Sequence, residues 1–355
     1  MSPVPFLALA LILVLPVASF AAEGQHIAVD VTFPSGNHAL AGTLSLPVGD
    51  GPFPAVVLIS GSGRSDRNEA LPGVTSFQPF KVLAEHLAAA GVAALRYDDR
   101  GVGESTGDFQ SATSEDFAED VEAAVAYLRT RPEIDPPRVG LLGHSEGGMI
   151  APMVAANNPD DIAFVVAMAP TTVPGYRILS WQLDNLLAGS NLTEAQKAAA
   201  HAQEIRSLDW VVGEDWISLQ SHLRDQYTAM PQEQREAIGS ESEFIEQGML
   251  YYQGWLYFFA THDPAEDWRR VAVPALVLFG GRDQQVPEEM NTAALRRAIE
   301  NRDDTAVTIR SFPTANHLFQ DAVTGAVTEY SALSDMFVAG FLPAISDWIL
   351  QQPGE

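Results

Sequence analysis

Short apolar runs recur along this chain, and stretches with helical spacing separate most of them. The runs are Pro54–Ser60, Val92–Tyr97, Val139–Gly143, Ala163–Ala169, Pro274–Gly280 and Thr305–Phe312. Several of them are apolar at successive positions instead of alternate ones, which is typical of parallel strands that are covered on both faces. The pattern therefore predicts a mostly parallel sheet with helices on both sides.

Helical patterns fill most of the gaps between these strands. Ser114 is a candidate cap for a predicted helix over Ser114–Arg129, which has an apolar stripe along one face. The other predicted helices are Phe77–Ala90, Glu146–Asn157, Pro287–Glu300 and Val338–Gln351. Two alternating segments, His26–Phe33 and His38–Leu46, flank a turn and predict a hairpin before the first apolar run. This alternation of strands and helices predicts a doubly wound α/β fold.

The alternation breaks once, between about Thr171 and Asp267. This stretch has no convincing strand, and it contains the capping box Thr193–Gln196 followed by a helical run to Leu208. It is also rich in aromatic residues, among them Trp181, Trp210, Trp216, Trp255 and Phe259. We interpret it as a mostly helical cap that is inserted into a single domain, residues 23–355, and lies over the edge of the sheet.

The first 22 residues have the pattern of a signal peptide. An apolar run, Val4–Val17, is followed by small residues that fit a signal-peptidase site. No Lys or Arg precedes the run, so a retained N-terminal anchor and a wrongly assigned start codon are alternatives. No later segment has about 18 uninterrupted apolar residues, the length that a membrane span needs. The sequence thus predicts a secreted or periplasmic protein with no membrane span after cleavage.

Composition excludes several classes of function. The chain has 20 Lys and Arg residues against 46 Asp and Glu residues, a net charge of −26, so nucleic acid is not an expected partner. It has no Cys, which excludes disulfides, Cys-ligated metals and a Cys nucleophile. No spacing of His and carboxylate residues suggests a metal site, and we expect no cofactor.

One motif indicates the chemistry. Gly143-His144-Ser145-Glu146-Gly147 fits G-x-S-x-G and lies between a predicted strand and a predicted helix, as a nucleophile elbow requires. The two glycines allow a turn that is too tight for a Cβ atom, and Ser145 lies at the positive end of the following helix. Ser145 is the candidate nucleophile, although the motif taken alone is also compatible with a Gly-rich turn.

A serine nucleophile needs a histidine base and a carboxylate that orients the base. With such an elbow the order along the chain is Ser, then Asp or Glu, then His. His317 follows the last predicted strand, and Asp283 follows the strand before it, at the end where open α/β sheets gather catalytic groups. Taken alone, His317 fits a surface loop and Asp283 fits a tight turn, but their order favours a triad with Ser145. His144 is adjacent to Ser145, so we expect its side chain to point away.

Acyl transfer produces an oxyanion, which two backbone N–H groups commonly stabilise. The residue after the nucleophile, Glu146, supplies one of them in this arrangement. The loop after the strand Pro54–Ser60 supplies the other, and Ser62 occupies the position whose N–H would point at the site. The block Tyr97–Ser105 resembles a phosphate or metal loop, but pairing of Arg100 with a carboxylate is the better interpretation.

Together these residues resemble the α/β-hydrolase superfamily, in particular its bacterial esterases near the dienelactone-hydrolase and serine-aminopeptidase groups. The matching blocks lie at 58–69, 95–109, 140–156, 276–287 and 315–317. The resemblance implies the α/β-hydrolase fold with a mostly parallel eight-stranded sheet. It also implies a triad and an oxyanion hole, formed by Ser145, Asp283 and His317 and by Ser62 and Glu146 respectively. Dienelactone hydrolases use Cys, which this chain lacks, and proline-releasing aminopeptidases carry HGGPG where it has SGSG.

The resulting prediction is a secreted serine hydrolase that cleaves carboxylic esters with short to medium acyl groups through an acyl-enzyme intermediate. Its partner would be a small-molecule ester. Two alternatives remain: a serine peptidase or aminopeptidase with the same triad, and a non-catalytic binding protein on a hydrolase fold. Turnover of matched esters and amides separates the first alternative from the prediction. The complete set of Ser, Asp and His in the expected order argues against the second.

Overall fold

A single sheet forms the centre of the molecule. The structure is a computed structural model that describes residues 26–300 and 307–352, and the predicted signal peptide lies outside the described residues. Within this part of the chain the sheet has eight strands. They are β1 (His26–Ser35), β2 (His38–Pro47), β3 (Phe53–Ile59), β4 (Ala93–Tyr97), β5 (Ile134–His144), β6 (Val165–Met168), β7 (Ala275–Gly280) and β8 (Val307–Phe312).

The strands lie in the order β1-β2-β4-β3-β5-β6-β7-β8. β1 and β2 form the predicted antiparallel hairpin, and β2 pairs antiparallel with β4. All the other neighbouring strands are parallel. β3, β4, β6 and β7 are buried along nearly their whole length, which is why their sequences are apolar at successive positions. The predicted mostly parallel sheet is confirmed.

Helices cover both faces of this sheet. The three helices before β6 are α1 (Pro79–Ala89), α2 (Ser114–Arg129) and α3 (Glu146–Asn157). α1 packs on one face, against strand residues such as Val56 and Leu58. α2 and α3 pack on the other face, against Val57 and Leu141. Successive strand residues therefore enter different cores, so a covered strand needs apolar side chains at every position.

The cap of α2 differs from the prediction. Thr113, not Ser114, is the N-cap: its side chain accepts the N–H of Asp116, and the Asp116 carboxylate accepts the N–H of Thr113. Ser114 lies in the first turn, where its hydroxyl donates to the carboxylate of Glu146, 2.6 Å away. The predicted cap is wrong by one residue, because Thr113 forms the capping box with Asp116 and Ser114 is already inside the first turn.

Between β6 and β7 the described chain contains helices and no strand. They are α4 (Gly175–Ala188), α5 (Glu194–Val212), α6 (Trp216–Ala229), α7 (Gln232–Ile238), α8 (Glu241–Tyr251), a π-helical segment (Tyr252–Leu256), α9 (Tyr257–Thr261) and α10 (Pro264–Arg270). α5 begins with the predicted capping box of Thr193 and Gln196, and it continues four residues past the predicted end at Leu208 to Val212.

These helices pack into two different hydrophobic cores. Residues of α4, α5, α6, α8, the π-helical segment and α9 share an apolar cluster of their own, which includes Val211 and Leu219. α10 instead places Trp268 in the main core beside the sheet. The segment that carries this second cluster is Gly175–Thr261, called the helical insertion below, and Phe258 of α9 also packs against the main core. The predicted boundary at Asp267 falls inside α10.

Two more helices complete the chain. They are α11 (Glu288–Ile299) and α12 (Phe341–Leu350), with a 3₁₀ segment (Val327–Ala332) between them. None of the described helices combines the length and apolar character that a membrane span requires. Because β3, β5, β7 and β8 are parallel, the loops that follow them leave the sheet at one edge, where ligands of open α/β sheets bind.

Candidate active site

Ser145 occupies a tight turn between β5 and α3. Its φ of 55° lies in a region that residues with a Cβ atom rarely adopt. The N–H of Ser145 donates to the backbone oxygen of Met168, which holds the turn against β6. A Cβ atom on Gly143 would lie 2.0 Å from the oxygen of Gly147, and one on Gly147 would lie 2.1 Å from the oxygen of Ile59. The backbone at the motif is thus too closely packed for any other residue at these two positions.

Asp283 and His317 are buried and joined by a hydrogen bond. The Oδ1 atom of Asp283 accepts the N–H groups of Gln285 and Val286. Its Oδ2 atom accepts the Nδ1–H of His317 at 2.7 Å. Because Nδ1 carries the proton, Nε2 of His317 keeps its lone pair and can accept a proton from a hydroxyl. His317 and Ser145 line the same cavity, so the structure brings the three candidate triad residues to one site.

The cavity that Ser145 and His317 line, called the Ser145 cavity below, has a volume of about 180 Å³. Gly61 and Ser62, in the loop after β3, form part of its wall. The helical insertion contributes another part through residues of α4 and through Trp255. The site therefore lies between the edge of the sheet and the helical insertion.

The loop after β3 lies against Ser145. The N–H of Gly61 donates to the carboxylate of Glu69 at 2.9 Å and so is already occupied. The next N–H along the loop belongs to Ser62, which lines the cavity. Glu146 begins α3 directly after Ser145, and the N–H groups of a first helical turn have no partner within the helix. Both candidate oxyanion donors, Ser62 and Glu146, thus lie next to Ser145.

The ring of His144 lies beside that of His317, with centroids 4.6 Å apart, so the expectation that its side chain points away from the site is wrong. Its Nδ1 atom lies 2.7 Å from Oε1 of Glu69, and its Nε2 atom lies 2.9 Å from the backbone oxygen of His317. Burial lowers the pKa of His144, but the charge and hydrogen bond of Glu69, the hydrogen bond to the His317 carbonyl and the charge of Asp283 together raise it by more, so the pKa is raised overall. Sequence reasoning assigned no role to Glu69, whose only signal was its place at the end of the block 58–69.

The buried carboxylate of Glu146 connects three parts of the molecule. Its Oε1 atom accepts the hydroxyl of Ser114 at 2.6 Å and the indole N–H of Trp255 at 2.8 Å. Burial raises the pKa of Glu146, and hydrogen bonds from Ser114, Ser62 and Trp255 offset this rise only in part. The residue after Ser145 thereby joins α2, the loop after β3 and the helical insertion. The sequence could not indicate the role of Trp255, because 109 positions separate it from Glu146.

Arg100 stabilises the loop after β4 next to the site. Its Nε and Nη2 atoms donate to the two carboxylate oxygens of Asp120, at 2.7 and 3.0 Å, and both side chains are buried. The predicted pairing of Arg100 with a carboxylate is confirmed. In residues 26–300 and 307–352, no group of three or more His, Asp or Glu side chains is arranged to hold a metal ion.

Comparison with known families identifies the kind of protein to which this site belongs. A family model described as serine aminopeptidase, S33, matches residues 74–320, which is more than half of the chain. The chain belongs to this family. The matched range of this S33-family hydrolase includes Ser145, Asp283 and His317, whereas Ser62 and Glu69 precede it.

Among curated proteins, this S33-family chain is similar to the esterase EstD of Thermotoga maritima. The two are 28% identical over 281 residues, which is 79% of this chain and 58% of EstD. The chain therefore spans less than two thirds of the length of EstD.

Solved structures show the fold of this S33-family chain. The esterase Pf2001 of Pyrococcus furiosus has a TM-score of 0.54 at 15% identity, with 93% of this chain and 92% of the esterase covered. A dienelactone hydrolase of Anabaena variabilis has a TM-score of 0.51 at 17% identity, with 92% and 99% covered. The predicted α/β-hydrolase fold is confirmed.

Proposed function

We propose that this hydrolase cleaves carboxylic esters, with Ser145 as nucleophile, His317 as general base and Asp283 as the residue that orients His317. The observation that carries the proposal is the 2.7 Å hydrogen bond from His317 Nδ1 to Asp283 Oδ2, at the wall of the cavity that Ser145 lines. A serine hydroxyl is a poor nucleophile at neutral pH, and a histidine held in this tautomer supplies the base that it needs.

The reaction has two halves. The Oγ atom of Ser145 attacks the ester carbonyl while Nε2 of His317 takes the hydroxyl proton. The carbonyl oxygen becomes an oxyanion, which the N–H groups of Ser62 and Glu146 stabilise, each lowering the barrier by about 3 kcal/mol. His317 then gives its proton to the departing alcohol, which leaves the acyl group on Ser145. Water attacks this acyl-enzyme with the same proton transfers and releases the carboxylic acid.

The proposed substrate class has two supports. Similarity to EstD, whose name describes it as an esterase, favours an ester over other acyl compounds. The volume of the Ser145 cavity, about 180 Å³, favours short to medium acyl groups.

An aminopeptidase or other peptidase is the second candidate, because the matching family is described as serine aminopeptidase, S33. Glu69 lines the Ser145 cavity, and a carboxylate there is a group that could bind a substrate amine. Matched esters and amides of the same acyl group separate the two functions. An ester-to-amide ratio of enzymatic rates that exceeds the ratio of the uncatalysed hydrolysis rates supports the esterase. Efficient cleavage of the amide supports the peptidase.

We further propose that residues 1–22 direct export and are removed, so that the protein acts in the periplasm or outside the cell. The support is the apolar run and the small residues that follow it. Mass spectrometry of the N-terminal peptide from periplasm and culture medium tests this. A mature chain that begins near Ala22 supports export, and a retained Met1 in the cell pellet contradicts it.

Active-site labelling tests the nucleophile. A fluorophosphonate probe should label the wild type, and Ser145→Ala should lose the label and at least about 1,000-fold of ester hydrolysis without a large change in Tm. Ser190→Ala is the matched control, because it removes a hydroxyl that bonds to the Leu187 carbonyl outside the site. A folded wild type that resists the probe and hydrolyses no ester would support a non-catalytic binding protein. A variant without Ser145 that remains active would place the nucleophile elsewhere.

A further inference from the structure

A second, larger cavity adjoins the Ser145 cavity. It has a volume of about 570 Å³ and is called the aromatic cavity below. Its principal lining residues are Ser62, Arg64, Phe109, Phe244, Tyr251 and Trp255. Ser62 and Trp255 line both cavities, so the two meet beside the candidate oxyanion donor. An ester whose carbonyl lies at Ser145 therefore has the aromatic cavity next to one of its two sides.

Trp255, at the boundary, is held firmly in place. Its indole N–H donates to Glu146 at 2.8 Å. Its ring stacks on Phe259 with centroids 5.0 Å apart and planes 10° apart, and on Tyr251 with centroids 5.6 Å apart. A side chain with so many contacts loses little further freedom when a ligand binds, so the wall is preorganised.

The backbone under Trp255 is also unusual. Trp255 lies in the π-helical segment, and the preceding residue, Gly254, has φ −93° and ψ −107°, outside the helical range. Such π-helical turns inside α-helices occur often at functional sites, because the extra residue redirects the side chains around it. Here the irregular turn is the one that carries the Trp255 indole, which reaches the Glu146 carboxylate.

The lining favours a flat, electron-rich group. Four of the principal residues carry aromatic rings, and the described lining includes one charged side chain, Arg64, and no carboxylate. The guanidinium of Arg64 lies 5.4 Å from the centroid of Phe109, and its Nη2 atom donates to the Gly101 carbonyl. In a chain of net charge −26, a lining with one cation and no carboxylate is distinctive, and the nearest acid that interacts with Arg64, Asp108, lies outside the lining. Rings and a guanidinium both bind the face or edge of an aromatic group better than a saturated group of the same size.

We propose that the aromatic cavity binds an aromatic ring of the ester substrate, which a short linker joins to either the acyl or the alcohol side. The inference rests on the proposed ester hydrolysis at Ser145 and names its substrate class. Tyr251 is 46% exposed at the cavity, so a ring that stacks there replaces water at an aromatic surface that is already partly open.

Two pairs of esters test the proposal. Benzyl acetate and cyclohexylmethyl acetate differ only in whether the ring on the alcohol side is aromatic, and methyl phenylacetate and methyl cyclohexylacetate differ in the same way on the acyl side. We expect the wild type to prefer the aromatic member of one pair by about fivefold to tenfold in kcat/KM. The pair that shows the preference identifies the side of the ester that enters the aromatic cavity.

Variants connect the preference to the cavity. Tyr251→Leu removes one ring from the wall and should lower the aromatic-to-saturated ratio of kcat/KM severalfold. Tyr127→Leu is the matched control: Tyr127 stacks on Phe33, outside both cavities, and its loss should leave the ratio unchanged. Phe244→Leu, at a partly buried position of the same lining, also removes a ring and should lower the ratio, and it tests the proposal if Tyr251→Leu does not fold.

The outcomes separate this inference from the proposed function. Ratios near one for both pairs, in a wild type that hydrolyses the esters, would overturn the proposal that the aromatic cavity binds a substrate ring. The proposed ester hydrolysis at Ser145 would be unaffected. Equal losses on both members of a pair in Tyr251→Leu and Phe244→Leu would also overturn the proposed ring binding. A wild type that hydrolyses none of the four esters and resists the fluorophosphonate probe would overturn the esterase itself.

Discussion

The Nε2 atom of His144 lies 2.9 Å from the backbone oxygen of His317, so the residue before Ser145 holds the loop that carries the proposed base. The Nδ1 atom of His144 bonds to Oε1 of Glu69, and the same oxygen atom accepts the N–H of Gly61. Both His144 and Glu69 are almost fully buried. One buried pair therefore supports the loop after β3 and the loop after β8 together, on either side of Ser145.

The Glu69–His144 pair predicts a pH-dependent stability. Since Glu69 raises the pKa of His144, the protonated histidine stabilises the fold fully below about pH 6.5, and this contribution is lost as the pH rises through the raised pKa. Glu69→Gln should lower the free energy of unfolding by about 1–3 kcal/mol between about pH 5 and 6, and by less at pH 9. Urea unfolding across this range measures the difference.

An exposed pair of the same type is the control for Glu69→Gln. Asp184 and His201 lie 3.2 Å apart, but their side chains are 62% and 41% exposed. Asp184→Asn should therefore change stability little at any pH. A loss in Glu69→Gln that is the same at every pH would show that the carboxylate contributes packing and not charge.

The buried carboxyl group of Glu146 also predicts a pH-dependent stability. Burial raises the pKa of Glu146, so the protonated form suits the fold, and its contribution to stability is lost as the pH rises through the raised pKa. Glu146→Gln imitates the protonated side chain at every pH. Its Tm minus that of the wild type should therefore increase between pH 4.5 and pH 8 in thermal unfolding. Glu115→Gln, at an exposed site in α2, should show no such trend, and a difference that falls with pH would contradict the assignment.

Two ion pairs of similar length should differ in strength because their burial differs. Arg100 bonds to Asp120 at 2.7 Å with both side chains buried, whereas Arg67 bonds to Glu104 at 2.8 Å with Glu104 78% exposed. Asp120→Asn should cost about 1.5–3 kcal/mol, since it removes the buried carboxylate of Arg100 and leaves only the more exposed one of Asp116, 3.0 Å from Nη1. Glu104→Gln should cost less than about 1 kcal/mol. Chemical unfolding of both variants checks the contrast, which fails if the two losses are equal.

The packing around Ser145 predicts that the motif glycines resist the smallest change. A Cβ atom on Gly147 would lie 2.1 Å from the Ile59 oxygen, so Gly147→Ala forces the turn away from β3. We expect a loss of about 1–3 kcal/mol or more and a large loss of ester hydrolysis, measured by Tm and kcat/KM. Gly189→Ala is the control, because its nearest heavy atom would lie 3.6 Å away. Equal tolerance of both changes would show that the turn adapts without cost.

The sheet and the elbow could be predicted because their signals are local. A strand covered on both faces is apolar at successive positions, and the tight turn at Ser145 requires glycines at fixed distances from it. The capping residue of α2 does not follow from the pattern alone, since Thr113 and Ser114 are both good caps; the capping box of Thr113 and the contact of Ser114 with Glu146 distinguish them.

The supporting contacts of the site could not be predicted, since they join distant positions. Glu69 and His144 are 75 residues apart, and His144 and the His317 carbonyl are 173 apart. Nothing in the local pattern of either histidine distinguishes a buried ring with two acceptors from a surface side chain. Such roles follow only when the fold brings the loops after β3, β5 and β8 together.

The hydrogen bond from Trp255 to Glu146 sets a condition for exchanging helical insertions between related proteins. A chimera that carries another insertion on this sheet leaves the buried Glu146 carboxylate with one donor fewer, unless the new segment offers an indole, hydroxyl or amide at the same place. A first criterion for choosing grafted insertions is therefore whether they place an N–H or O–H donor within hydrogen-bond distance of Glu146 Oε1.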